Sequence, residues 1–173
     1  MKNTKALSAA LLCSLAGAAL AGGPDYPPRK PGLWEMTMSQ ADGKSAPHVA
    51  QQCIDAKTDQ AMRELGQGMG QNACSKQEMR KEGDKLVVDS VCKIGTSTAT
   101  THAVLSGDFT SAYRMETRST YEPPVAGRKE GSAIMETKWV GPCKSDQKPG
   151  DMIMPGGMKM NISDMQAMQQ KRK

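Results

Sequence analysis

The chain has 173 residues, with 23 Lys and Arg against 18 Asp and Glu, fourteen Met, five Cys and 3% aromatic residues. That length suits one domain. The formal charge of +5 equals the five basic residues at the two ends, Lys2 and Lys5 at the start and Lys171, Arg172 and Lys173 at the finish; a neutral body without a basic patch excludes nucleic acid as an expected partner.

Residues 1–21 read as a signal peptide. Lys2 and Lys5 precede the apolar run Ala6 to Ala21, which closes on the small-x-small pattern Ala19-Leu20-Ala21. The run is about 16 residues, below the roughly 20 that a membrane helix needs, and no other apolar stretch comes near that length. The expected product is a periplasmic or secreted protein, cleaved after Ala21, with no transmembrane segment. Removing 21 of 173 residues leaves 152, of which only 17 are Leu, Ile, Val or Phe. So lean a composition needs another source of stability, and four remaining Cys and thirteen remaining Met are the available ones.

A Pro-rich arm (22–31, with Pro24, Pro27, Pro28 and Pro31) leads to a β domain expected over 32–147. Alternation in Leu33-Trp34-Glu35-Met36-Thr37-Met38 predicts a strand with Trp34, Met36 and Met38 on one face. A second strand is expected from His48 to Cys53. Asp55 is placed to cap a helix over Ala56 to Leu65, with Gly66 placed to end it. Strands at about 74–81, 85–94, 98–106, 110–121 and 131–140 follow, separated by turn signals at Glu82-Gly83-Asp84, Gly107-Asp108 and Pro123-Pro124 to Gly127. A three-residue loop at Gly107-Asp108-Phe109 would set Ala103 opposite Tyr113. The fold class expected is all-β and mainly antiparallel: a meander sheet curled into a barrel or sandwich, with one short helix and a disulfide framework. From Lys148 the chain becomes a Met- and Gly-rich C-terminal segment (148–173), with a polar helical stub near Ser163 to Gln170 and a basic tip.

Cys53, Cys74, Cys92 and Cys143 contain no Cys-x-x-Cys, so neither a zinc ribbon nor a thioredoxin-type pair is indicated and disulfides are expected. A hairpin turning about Gly83 sets Cys74 directly opposite Cys92, which leaves Cys53 for Cys143. Lys76, Glu78 and Arg80 blur the face on which Cys74 lies, so a Cys53–Cys74 pairing stays open. Met152, Met154, Met158 and Met160 are symmetric about Gly156. In a hairpin they would line one face, with Met165 and Met168 of the helical stub as further candidates. Soft thioethers suit Cu(I), whereas the simpler reading has Met replacing scarce Leu over one end of the sheet.

His102 shares its strand face with Thr98, Thr100 and Ser106 and is read as solvated; an acid–base role would require a cleft and a carboxylate within hydrogen-bond reach. Gly43-Lys44-Ser45 lacks the earlier glycine of a phosphate loop, and no Gly-x-Ser-x-Gly elbow occurs. No catalytic set can be assembled, no cofactor is implied beyond the Cu(I) alternative, and an enzyme is not expected.

Pro31-Gly32-Leu33-Trp34-Glu35, Cys53-Ile54-Asp55, Cys74, Cys92 and the cysteine after Trp139-Val140-Gly141-Pro142 resemble a family of exported bacterial single-domain proteins of unknown function. The resemblance spans Pro31 to Met160. It implies a bacterial, periplasmic β domain and brings no activity, ligand or catalytic residue. Binding rather than catalysis is therefore expected, either of a small hydrophobic ligand in a pocket formed by Trp34, Met115, Met135 and Trp139, or of an envelope protein at a sheet edge.

Overall fold

The alternating run after Pro31 builds β1 (Gly32–Gln40), which pairs antiparallel with β2 (His48–Ile54), Leu33 lying opposite Cys53 and Met36 opposite Ala50. The structure, a computed structural model, describes residues 27–43 and 45–170. The expected signal peptide, residues 22–26 of the arm, Lys44 and the basic tip lie outside the described residues. After β2 come α1 (Ala56–Ala73), then β3 (Cys74–Glu82), β4 (Lys85–Ile94), β5 (Ser97–Gly107), β6 (Ala112–Val125) and β7 (Arg128–Gly141). The chain continues through β8 (Asp151–Ile153), β9 (Lys159–Asn161) and α2 (Ile162–Gln170).

All nine strands form one antiparallel sheet in the order β3-β4-β5-β6-β7-β1-β2-β8-β9. The class is as expected, but the sheet is open, neither a closed barrel nor a sandwich. The reason lies in α1, which takes the inner face that a second sheet would occupy. It leaves β2, seventh in the order, and delivers the chain to β3, the first. Six strand spacings span roughly 29 Å in a flat sheet, and the 18 residues of α1 reach roughly 27 Å. A helix of this length is long enough to carry the chain from β2 to β3 over one face of the sheet.

That length departs from the ten residues expected. The start is as the sequence indicates: the Asp55 carboxylate accepts from the Thr58 N–H at 2.8 Å, and the Thr58 hydroxyl accepts from the Asp55 N–H at 2.9 Å. The end is not, because Gly66, Gly68 and Gly70 remain helical at a cost of about 1 kcal/mol each relative to Ala. At Gly70 the helix passes close to β3: a Cβ there would lie 2.4 Å from Gln77 Oε1, the mobile end of a side chain that could swing aside. The helix runs directly into that strand, α1 ending at Ala73 and β3 starting at Cys74.

Registers differ from expectation at three turns. Glu82 lies opposite Lys85, which puts the β3–β4 ladder one residue off a turn centred on Gly83. A bulge at Ser75 then shifts the register back, and Cys74 faces Cys92. In the β5–β6 hairpin Gly107 faces Tyr113 and Ala103 faces Thr117, so the loop is longer than three residues. Asp108 organises it, accepting from the Ser111 N–H at 2.7 Å and the Ala112 N–H at 2.9 Å, while Phe109 takes φ 59°. Finally, Pro123 and Pro124 lie within β6, where the ladder to β7 is interrupted between Thr120 and Val125 because proline has no N–H to donate.

Disulfides join Cys53 to Cys143 and Cys74 to Cys92. The fully buried apolar residues include Leu33, Trp34, Ile54, Leu86, Leu105 and Ile162. No described methionine is among them.

Candidate ligand-binding cleft

The methionines are elsewhere. Met36, Met115 and Met135 project from β1, β6 and β7, Met152 from β8, Met62 from α1 and Met165 from α2, and all six line one cleft of about 400 Å³ between the sheet and the helices. Each is half-buried. Leu105, Phe109, Tyr113 and Ile162 complete the apolar wall. On α1 the lining positions Asp59, Met62, Arg63 and Gly66, with Leu65 beside them, recur at three and four residues, one stripe of the helix. Phe109 reaches the cleft because its left-handed backbone brings its ring to 6.1 Å from that of Tyr113.

One corner of the cleft is ionic. Asp59, 1% exposed, receives Arg29 Nε at 2.7 Å on Oδ1. Its Oδ2 receives the Arg29 N–H at 3.2 Å and Arg63 Nη1 at 3.1 Å. Arg29 also donates from Nη1 to Gln52 Oε1 at 3.0 Å and from Nη2 to the Met62 sulfur at 3.6 Å. Gln52 Nε2 in turn points to the Met152 sulfur at 3.7 Å. The arm that carries Arg29 is held to the sheet by tryptophans: Trp34 Nε1 donates to the Lys30 carbonyl and Trp139 Nε1 to the Pro31 carbonyl.

Those contacts revise the pocket expected from Trp34, Met115, Met135 and Trp139. Met115 and Met135 line the cleft. Trp34 is fully buried, and the Arg29 guanidinium lies 5.5 Å from its ring centre. Trp139 has Lys30 Nζ 3.6 Å from its ring centre and holds the arm instead of facing the cleft. Alternation alone places a tryptophan on a face; it does not say whether chain outside the sheet will cover it. The ionic corner was missed. The Asp59-to-Arg63 spacing of one helical turn is visible in the sequence, but nothing local marks Arg29 as their partner.

The C-terminal hairpin has the symmetry read from the sequence, with Met152 opposite Met160 and Met154 N–H donating to the Met158 carbonyl. It is not a separate tail, since β8 pairs with β2 through Gln52 and Met152. Asp151 holds it in place by accepting from Asn161 Nδ2 at 2.9 Å, the Lys148 N–H at 3.0 Å and Lys159 Nζ at 2.8 Å. Met158 is 60% exposed, whereas Met152 lines the cleft.

His102 lies on the outer face, beside a broad open trough of polar side chains, with Nδ1 2.7 Å from Asp89 Oδ1. The other oxygen of Asp89 is taken by Arg80, and these two partners, Arg80 first, hold the Asp89 carboxyl below its usual range. The cleft and carboxylate required of an acid–base histidine are thus both at hand. Among the described residues no hydroxyl or thiol bonds the second ring nitrogen, and His102 is 51% exposed. The trio links β3, β4 and β5 side by side, the arrangement of a cross-strand surface ladder.

An antiparallel sheet braced by one helix, with a methionine-walled cavity between them, defines a β protein with room for a small molecule. The chain belongs to the family described as protein of unknown function (DUF3617), whose family model matches residues 29–143. No curated protein and no solved structure matches it. The matched segment takes in β1 to β7, α1 and all four paired cysteines, while β8, β9 and α2 follow it.

Proposed function

We propose that the protein is an exported carrier that binds an elongated apolar molecule between its sheet and α1. The observation that carries this reading is the gathering of six half-buried methionines on one cleft. Methionine used as core filler would be fully buried; methionine on a cavity wall gives a surface that remoulds around ligands of different shape. A volume of about 400 Å³ falls within the range of small-molecule sites. Two disulfides and the leader-like start suit an oxidising compartment outside the cytoplasm.

Each methylene moved from water into such a cleft contributes about 0.8 kcal/mol, or roughly fourfold in affinity. A homologous series of n-alkanols displacing a fluorescent naphthylamine probe should therefore tighten by about that factor per carbon until the cleft is full. Gly66 lines the cleft, and a Cβ added there meets no atom within 4 Å. Gly66→Leu should therefore fit the helix, raise the melting temperature and weaken the longest alkanols most. Affinity independent of chain length would remove the reading.

The pairing of Met152 with Met160 across β8 and β9, with Met154 bonded to Met158 through the backbone beside it, favours a second reading, Cu(I) binding by Met152, Met154, Met158 and Met160. Converting all four to Leu should abolish Cu(I) binding on that reading. The carrier reading expects probe binding to persist in the same variant, and Cu(I) affinity unchanged by it would dismiss the metal.

A further inference from the structure

We infer that the occupant of the cleft is a single-chain amphiphile with an anionic head, its negative group seated between Arg29 and Gln52. The inference rests on the carrier reading and adds the chemistry of the head. It follows from which hydrogen-bonding capacity in the ionic corner is used and which is not. Both oxygens of Asp59 are occupied, Oδ1 by Arg29 Nε and Oδ2 by the Arg29 N–H and Arg63 Nη1. Asp59, the one carboxylate among the described residues that line the cleft, is thus fully engaged and has little to offer a cationic head.

The donors are in the opposite condition. A guanidinium carries five N–H groups, and among the described residues Nη2 of Arg29 is directed only at the thioether of Met62, at 3.6 Å. Gln52 must turn Oε1 toward Arg29, which has no acceptor, so its Nε2 faces outward, where it too meets only a thioether, that of Met152 at 3.7 Å. Two strong donors, one charged, therefore rest on the weakest acceptors in the protein, inside an apolar cleft and 13% exposed in the case of the Arg29 side chain. Both sulfurs are on flexible side chains that can swing aside. A carboxylate entering there would replace two weak N–H···S contacts by charge-assisted N–H···O bonds in a medium where such bonds are strengthened, and its alkyl chain would run on along the methionine wall.

Laurate, dodecanol and dodecylammonium have the same tail and differ in the head, so competition against the naphthylamine probe at pH 7.5 isolates the claim. Laurate should bind about tenfold more tightly than dodecanol or better, the worth of one hydrogen bond to a charged group. Arg29→Met should bring laurate down toward the level of dodecanol, lowering laurate affinity much more than that of dodecanol, and Arg29→Lys should keep most of the preference. Gln52→Leu leaves the ion pair with Asp59 in place and should lower laurate affinity more than dodecanol affinity; it serves if Arg29→Met does not fold. Equal binding of laurate and dodecanol overturns the anionic head but leaves the carrier standing. Tightest binding by dodecylammonium overturns it in favour of Asp59 as the anchor. Failure of all three to displace the probe defeats the carrier reading itself, and the inference with it.

Discussion

Thr137 is 2% exposed and lies in the ladder between Met36 on β1 and Tyr113 on β6, yet its hydroxyl finds no hydrogen-bond partner among the described residues. Burying such a group unpaired costs about 1–3 kcal/mol, and valine has the same shape without it. Thr137→Val should raise unfolding free energy by about 1 kcal/mol, measured by denaturant titration; a lower value would mean that the hydroxyl is paired after all. Asp151 shows the opposite balance. Burial pushes its pKa up, but the donors from Asn161, Lys148 and Lys159 outweigh that and hold it at about 2. A carboxyl depressed in the folded state contributes stability above its unfolded pKa of about 3.9 and loses that contribution as pH falls toward 2. Unfolding free energy should therefore drop between pH 4 and pH 2 by more than in Asp151→Asn, the difference being of order 2 kcal/mol. Parallel acid limbs in the two proteins would contradict it. Neither residue could be singled out in the sequence, since a threonine in a strand and an aspartate after a glycine become special only through what packs around them.

Among the elements, α1 was half legible. Its start is written in Asp55 and Thr58, which bond each other across one turn, whereas its end depends on a neighbour, β3, that the local pattern cannot reveal. The Cys74–Cys92 bridge sits where α1 hands over to β3 and pins that junction to β4. By loop entropy alone its closure of an 18-residue separation is worth about 3 kcal/mol, and the 90-residue separation of Cys53–Cys143 about 4.5 kcal/mol. Replacing each pair with serine should thus cost more stability at Cys53 and Cys143 than at Cys74 and Cys92, in chemical denaturation of the two variants. The reverse order would show that the junction, not the loop length, sets the value of the crosslink. Hairpin arithmetic brought Cys74 opposite Cys92 for an incomplete reason: the ladder is offset by one, and the Ser75 bulge restores the match.

For the molecule as a whole, the run of strands was readable because turn residues punctuate it, but their final neighbours were not. That β1 returns beside β7, and that β8 and β9 extend the sheet past β2, are long-range pairings with no signature in periodicity. The cleft follows the same rule. An excess of methionine is obvious in composition, yet its gathering on one surface depends on α1 crossing from one side of the sheet to the other.

The crossing leaves β3 as an outer strand, and it is among the most charged in the protein, with Lys76, Glu78, Arg80, Lys81 and Glu82 along nine residues. A second molecule attempting to add its own strand there would have to strip water from those groups and match their alternating signs, while the opposite border, β9, offers only three residues. Crowding should therefore leave the protein as separate particles with no tendency to stack into fibrils, a property that the proposed carrier would need in order to diffuse.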